Sequence, residues 1–198
     1  MTKARSLYIC TTKYIRDINS LYGYIQNVSP TFDTSILLRS EYVLIVSSFD
    51  KYLHDVVREK LLHNFFNRNI EFGNPLKVSI FDVMKLMDEP NQIEKELLLD
   101  GYIHQATSKS SFQSPQNVEY ALSLIGLKKI WNQLASIMGQ PADDIRDQLD
   151  IYVKRRNKIV HEADIDSATN TFTNIDLDTV DSCNDFMNNL VVAIEKIL

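Results

Sequence analysis

Apolar residues return at intervals of three and four along most of this chain, which is the spacing that places them on one face of an α-helix. The pattern is longest over residues 4–28, 33–67 and 178–198, and none of these segments contains a proline. Because proline breaks the helix interior, an uninterrupted run of this length favours one continuous helix. The three segments therefore predict long helices.

Shorter helices are predicted between the long ones. Their approximate bounds are 79–87, 91–106, 118–138 and a segment that starts after Pro141 and runs through His161. Proline followed by aspartates is typical of a first helical turn, which is why Pro141 marks this last start. Together these helices predict an all-α protein, a helical bundle of about five to seven helices. The chain length predicts a single domain over residues 1–198.

Polar and turn-forming residues mark the connections between these helices. Gly73-Asn74-Pro75 predicts a turn, and residues 108–117 predict an exposed loop that carries either a function or none. Residues 164–176 contain no Lys or Arg and many Thr, Asn and Asp, so they predict a connecting loop.

The composition agrees with a helical globular protein. Of the 198 residues, 44% are hydrophobic and 24% charged, which excludes collagen-like, disordered and disulfide-scaffold classes. Five Gly and five Pro are few for a many-stranded sandwich or barrel, which needs a turn every 8–12 residues or so. Cys10 and Cys183 lie far apart without a motif and are interpreted as core thiols in a reducing compartment. No apolar run is long enough for a membrane span, so we expect a cytoplasmic protein.

The charges are unevenly distributed along the chain. Twenty-one basic and 26 acidic side chains give a net charge of −5, which disfavours phosphate binding over the whole surface. Within acidic surroundings, four cations fall in five residues, namely Lys154, Arg155, Arg156 and Lys158. Such a cationic run can concentrate a phosphate at one place. The alternative is a solvated helix face with salt bridges such as Asp150 to Lys154.

Helical geometry separates Arg156 from the other cations. At about 100° per residue, Arg156 lies near the centre of the apolar face, which comprises Ile145, Leu149, Tyr152, Val153, Ile159, Val160 and Ala163. An arginine there requires an ion pair, a cleft or an interface. Asn157 and His161 share one edge of the helix, whereas Arg156 and His161 are about 140° apart and about 7.5 Å apart along its axis. They converge only through a distorted or ending helix, a long reach of the arginine, or a second chain across a two-fold axis.

The segment from Arg156 to His161 resembles the R-x-x-x-x-H signature, with a polar residue after the arginine, of the HEPN superfamily of helical ribonucleases. These ribonucleases occur in bacterial toxin and anti-phage systems and in CRISPR effectors. The longer phrase from Arg155 to Asp164 resembles the RiboL-PSP branch of that superfamily, as does the segment from Arg39 to Asp55 on the long second helix. The specific motif covers six residues, and the helical pattern covers most of the chain.

This resemblance implies a metal-independent endoribonuclease that acts as an obligate homodimer in a prokaryotic toxin or phage-defence setting. The ribose 2′-OH attacks the adjacent phosphate, and no cofactor or metal is required. Histidine exchanges protons near neutral pH, and arginine holds phosphate bidentately. The expected roles are proton transfer for His161, phosphate binding for Arg156, orientation of the histidine or substrate for Asn157, and RNA-phosphate attraction for Lys154, Arg155 and Lys158. The expected partners are RNA, a second copy and an antitoxin or other defence protein, without a membrane.

Two further interpretations remain open at this level. In the first, the chain is a catalytically inactive HEPN-like module that dimerises, binds a nucleotide or binds another protein. In the second, it is a plain helical scaffold in which Arg156 pairs with Glu41 or Asp50. Asp50 and His54 also lie one turn apart on the second helix, in a polar stripe with Ser47. Together with Glu41 they either support the cleft from behind or form ordinary surface or internal hydrogen bonds.

Overall fold

The computed structural model describes residues 1–67 and 76–198, which form eight α-helices and one short hairpin. The helices are Lys3–Val28 (α1), Ser35–Phe66 (α2), Ile80–Asp88 (α3), Gln92–Thr107 (α4), Pro115–Leu124 (α5), Ile130–Met138 (α6), Ala142–Glu162 (α7) and Leu177–Ile197 (α8). The antiparallel strands Ile165–Asp166 (β1) and Thr171–Phe172 (β2) join α7 to α8. The all-α fold predicted from the sequence is confirmed, and the turn predicted at Gly73-Asn74-Pro75 lies outside the described residues.

Helix α2 is the longest, at 32 residues, and occupies the centre of the fold. It packs against α1, α4, α5, α7 and α8. Fully buried apolar side chains cover about 140° of its circumference, from Tyr52 through Phe49 to Val57, as expected for a helix with neighbours on more than one side. Even so, no helix within residues 1–67 and 76–198 combines the length and the apolarity needed to cross a membrane.

The segment 118–138, predicted as one helix, forms two. Helix α5 ends at Leu124, and Gly126 adopts a φ of 92°, a left-handed conformation that glycine tolerates and an α-helix cannot contain. Lys129 also has a positive φ of 53° just before α6 begins. The apolar spacing continues across this break, so periodicity alone does not reveal it. The split accounts for the difference between the predicted five to seven helices and the eight in the described residues.

The segment 108–117 is exposed at its two ends, residues 108–110 and 116–117, and not in its middle. Phe112 is buried and stacks on His54 of α2, with 4.2 Å between the ring centroids. The backbone N–H of Phe112 donates a hydrogen bond to the Asp50 carboxylate, and α5 already begins at Pro115. The prediction of an exposed loop is therefore wrong for residues 111–115, because Phe112 packs onto α2 and α5 begins at Pro115.

The two cysteines differ in burial. Cys183 lies in the core between α2 and α8, and burial raises the pKa of its thiol to about 12. Cys10 is exposed on the outer side of α1, so the prediction of a core thiol is wrong for this residue. Helix α1 packs along α2, and only its inner positions, such as Tyr8 and Ile15, are buried.

Candidate functional site

Helix α7 carries the residues that the sequence singles out. It begins with Asp143 and Asp144 in its first turn, where acidic side chains favour the positive end of the helix dipole. Its buried face, which includes Leu149 and Val153, packs against α2, α5 and α6. The hydroxyl of Tyr42 on α2 donates to the carbonyl oxygen of Tyr152 at 3.4 Å. The second half of α7 therefore lies beside the first half of α2.

Arg156 lies half-buried between α7 and α2. Its Nη1 donates to Oδ1 of Asn157 at 3.2 Å, and its Nη2 lies 3.5 Å from Oγ of Ser47 on α2. Its Nε is buried and has no hydrogen-bond partner in the described part of the chain. The ion pairs found there do not include Arg156, so the pairing with Glu41 or Asp50 that a plain scaffold requires is not formed. No carboxylate of the described residues therefore pairs with this guanidinium, and its Nε is a free donor.

His161 and Arg156 do not converge within one chain. Helix α7 stays regular through Glu162, so the two side chains remain about 140° apart around its axis. His161 is exposed and makes no hydrogen bond with any described residue. Asn157 lies one turn before His161 and bonds to Arg156, so it lies between them. Helix distortion is thus excluded as the means of convergence, and a long arginine reach or a second chain remains.

Arg155 points into a buried ion-pair cluster. Its Nη2 donates to Oδ2 of Asp164 at 2.9 Å and to the carbonyl oxygen of Asn174 at 3.1 Å. From α2, Nε of Arg39 donates to the same Asp164 oxygen at 2.8 Å, and its Nη2 donates to the carbonyl oxygen of Thr173 at 2.8 Å. Asp164 is completely buried. The role of Arg155 in attracting RNA phosphate stays a prediction, although a carboxylate and backbone carbonyls already hold its guanidinium.

The backbone at the end of α7 explains why Asp164 is buried. Ala163 and Asp164 both adopt left-handed conformations, with φ of 50° and 60°, which are uncommon for residues other than glycine. The Asp164 N–H donates back to the carbonyl of Lys158 at 3.1 Å, and the Thr173 N–H donates to the Asp164 carbonyl at 2.8 Å. This turn folds the aspartate beneath the helix. We call Arg39, Arg155 and Asp164 the Asp164 cluster.

The two lysines lie on the outer side of α7. Lys154 forms an ion pair with Asp150 at 2.6 Å, and this hydrogen bond raises the pKa of the lysine. That pair is the salt bridge expected of a solvated helix face. Lys158 lies one turn later and forms no ion pair with the described residues. The four cations therefore do not make one patch, because the two arginines point inward and the two lysines outward.

Asp50 and His54 hold the segment before α5. The Asp50 carboxylate accepts from the Phe112 N–H, and Nε2 of His54 lies 3.0 Å from the carbonyl oxygen of Ser110. Ser47, which contacts Arg156, lies one turn before Asp50 on the same side of α2. These polar residues therefore hold residues 110–112 against the same side of α2 that carries Ser47. Across the described residues, no three His, Cys, Asp or Glu side chains converge as a metal site requires.

Glu41 points away from Arg156. It lies about 120° around α2 from Ser47, and its neighbours are Asn19 of α1 and Asp181 of α8. Burial raises the pKa of the Glu41 carboxyl to about 6; hydrogen bonding with Asn19 opposes this shift, and the Asp181 charge adds to it. Its Oε2 has no partner in the part of the chain that the structure describes. The structure thus separates Glu41 from the residues that it was predicted to support.

Comparison of the sequence with models of known protein families identifies one family. The model of the RiboL-PSP-HEPN family matches residues 10–198. The chain belongs to the RiboL-PSP-HEPN family. No curated protein and no solved structure matches it. The match contains both segments that carry the sequence resemblance, 39–55 and 155–164.

In this RiboL-PSP-HEPN protein the two segments meet in space. Arg39 of the first segment binds Asp164 of the second, and Ser47 lies next to Arg156. The spacing of R-x-x-x-x-H reveals only the α7 half of this arrangement. Sequence reasoning missed Arg39 as the partner of Asp164, although both residues stand inside the segments that signalled the family.

Exposed apolar side chains border Arg156 in the RiboL-PSP-HEPN fold. Leu44 precedes Ser47 by one turn on α2 and is 43% exposed, and Val160 follows Arg156 by one turn on α7 and is 46% exposed. Apolar side chains with an arginine among them are the typical composition of an interface core. We call the surface formed by Leu44, Ser47, Arg156 and Val160 the α2–α7 face.

Proposed function

We propose that this RiboL-PSP-HEPN protein is an endoribonuclease of a toxin or anti-phage defence system, with its active site between two copies of α7. The observation that carries the proposal is Arg156, a half-buried guanidinium with a free Nε and no carboxylate partner in the described residues. A buried cation without a partner is costly, so this position favours an anionic ligand or a second protein surface. The R-x-x-x-x-H resemblance makes RNA phosphate that ligand.

The homodimer is supported by the separation of Arg156 and His161. A two-fold axis beside α7 brings Arg156 of one protomer toward the partner's His161, whereas within one regular helix the two side chains point about 140° apart. The same contact buries the exposed Leu44 and Val160. The α2–α7 face therefore supplies both a reason for the dimer and a composite site.

The proposed chemistry is an internal transesterification of RNA. The 2′-oxygen attacks the adjacent phosphorus while the bond from phosphorus to the 5′-oxygen breaks, which gives a 2′,3′-cyclic phosphate and a 5′-hydroxyl. A base takes the proton of the 2′-OH, and an acid gives one to the departing 5′-oxygen. His161 performs one of these transfers, and Arg156 stabilises the negative charge on the phosphate oxygens. Asn157, which already binds Arg156, orients these groups.

The other cations contribute unequally to RNA binding in this proposal. Lys158 attracts the RNA backbone without reading bases, because no ion pair with the described residues occupies it. Lys154 contributes less, since Asp150 already neutralises it. Arg155 contributes to the fold of the site through Asp164 and does not contact the substrate.

The direct test compares RNA cleavage by the unchanged protein with cleavage by Arg156→Ala and His161→Ala, in buffer that contains a chelator. We expect each substitution to lower the rate by at least about 100-fold, the usual contribution of a proton-transfer or charge-stabilising group. Arg146→Ala, which removes an arginine paired with Asp143 at the other end of the same helix, serves as the control and changes the rate by less than about threefold. Equal rates in all four proteins reject the proposal.

A catalytically inactive HEPN-like module is the second candidate. It is favoured by one observation: His161 has no orienting hydrogen bond within the described chain, whereas catalytic histidines are usually oriented by a second group. In this case the chain dimerises or binds its ligand through the α2–α7 face without cutting RNA. Two results together support this candidate against the first: substitution of Leu44 abolishes dimerisation, and the unchanged protein does not cleave RNA at micromolar concentration.

A further inference from the structure

Helix α3 is apolar on its outer side as well as its inner side. Leu86 is buried, but four large side chains on the same nine-residue helix are more than half exposed, namely Ile80, Phe81, Met84 and Met87. Three of them recur at i, i+4 and i+7, so they form a stripe along one face. A surface helix normally keeps that face polar, and a helix that is apolar all round is usually covered.

Helix α4, which packs against α3, also carries exposed apolar side chains. Ile93 and Leu97 lie one turn apart and are also more than half exposed. Both line a groove of about 730 Å³ between α1, α2 and α4, in which Leu62 and Phe66 provide further apolar wall. We call the surface of Ile80, Phe81, Met84, Met87, Ile93 and Leu97 the α3–α4 face. Exposed apolar side chains on two packed helices, beside a groove, are typical of an interaction site.

Acidic side chains surround the α3–α4 face. Between residues 80 and 97, two lysines are outnumbered by five carboxylates, which are Asp82, Asp88, Glu89, Glu94 and Glu96. None of the five takes part in an ion pair with the described residues. Glu96 also lines the groove, beside Glu59. Residues 80–97 therefore carry a net negative charge beside the apolar side chains, although Lys3 and Arg58 also line the groove.

We propose that the α3–α4 face binds an amphipathic helix of another protein, one with an apolar stripe flanked by lysine or arginine. The apolar stripe fits a helix-in-groove contact, and the flexible side chains of Met84 and Met87 adapt to its shape. The five carboxylates attract the basic flank. A second copy placed by a two-fold axis brings like charges together, and an anionic membrane is repelled by the same carboxylates.

The face is separate from the proposed catalytic residues. None of its six side chains belongs to the α2–α7 face, and the inference stands whether or not the protein cuts RNA. Cleavage of RNA by the double variant Phe81→Ser/Met84→Ser is therefore expected to equal that of the unchanged protein. A failure of the nuclease proposal and a failure of this one are thus distinguishable.

The test uses two labelled synthetic helical peptides with the same leucine pattern, one with lysine and one with glutamate at every polar position. We expect the full chain to bind the Leu–Lys peptide in fluorescence anisotropy at physiological salt, and the Leu–Glu peptide at least about tenfold more weakly. Phe81→Ser/Met84→Ser lowers the affinity for the Leu–Lys peptide by about tenfold or more. The control Tyr14→Ser/Tyr24→Ser, which removes two exposed aromatic side chains from α1, leaves the affinity unchanged.

Three outcomes overturn the proposal. No binding of the Leu–Lys peptide, or equal loss of binding in the α3 and α1 variants, shows that the face is not a specific site. A Phe81→Ser/Met84→Ser protein that sediments as a smaller assembly than the unchanged protein shows that a second copy covers the face. Circular dichroism of each variant confirms that the helices are retained, so that lost binding is not lost folding.

Discussion

Arg39 donates a hydrogen bond from Nε to Oδ2 of Asp164 at 2.8 Å, although 125 residues separate them in the sequence. Arg155 reaches the same oxygen from α7 at 2.9 Å. Asp164 follows directly on the end of α7, and Arg39 belongs to the first turns of α2. The contact therefore fixes the last turn of α7, where His161 lies, against the central helix of the fold.

Removing the shared carboxylate is expected to destabilise the protein strongly. Asp164→Asn leaves two arginines near each other without their counter-charge, and breaking a buried ion pair in this way costs about 3–5 kcal/mol. Denaturant unfolding followed by circular dichroism measures the loss. Asp143→Asn is the control, because Asp143 pairs with Arg146 on the exposed surface and its loss costs less than about 1 kcal/mol. Similar losses in the two variants contradict a special role for the Asp164 cluster.

Substitutions of Arg155 and Lys158 are expected to have different effects, the first on stability and the second on RNA binding. Lys158→Gln changes stability by less than about 0.5 kcal/mol, as for other surface substitutions, and raises the KM for RNA. Arg155→Gln lowers stability by about 1–3 kcal/mol because its buried charged hydrogen bonds are lost. Unfolding and cleavage measurements on both variants test the contrast. If Arg155→Gln raises the KM without lowering stability, Arg155 binds the RNA substrate directly.

Mixing two inactive variants tests the composite site. If Arg156 acts together with the partner's His161, a heterodimer of Arg156→Ala and His161→Ala contains one site with both side chains intact. After subunit exchange, random pairing makes half of the dimers mixed, so about one quarter of the unchanged protein's activity returns. Cleavage assays before and after co-refolding measure this recovery. No recovery, despite mixed dimers detected with distinct tags, shows that each site needs both residues from one chain.

Stability is expected to depend on pH through Glu41. Burial raises the pKa of its carboxyl from 4.5 to about 6 in the folded protein, so folding favours the protonated form. The favourable contribution is complete below about pH 4.5 and is lost as the pH rises through about 6. Glu41→Gln is therefore expected to be more stable than the unchanged protein at pH 8, by up to about 2 kcal/mol, with the difference shrinking toward pH 4.5.

Denaturant titrations at pH 5 and pH 8 provide this measurement. The exposed Glu119 on α5 supplies the matched control, since Glu119→Gln changes stability little and equally at both pH values. If Glu41→Gln is less stable than the unchanged protein at pH 8, the carboxylate of Glu41 is ionised and well paired in the fold.

Local sequence pattern explains what could be predicted about this protein and what could not. The inward position of Arg156 follows from the periodicity of one helix, which is a local property, and the structure places it between α7 and α2. The role of Arg155 depends on two left-handed residues after α7 and on an arginine from another helix, and no local pattern encodes these. The break at Gly126 stayed hidden because apolar residues keep their spacing on both sides of it.

Helix α2 contacts both surfaces described above at different points along its length. Ser47 lies at the α2–α7 face and Leu62 in the groove beside α4, and a rise of 1.5 Å per residue puts them about 22 Å apart. A small ligand at one place does not touch a ligand at the other. Binding at the groove therefore changes the affinity at Arg156 only through a change in the protein between them, and α2 is the helix that reaches both places.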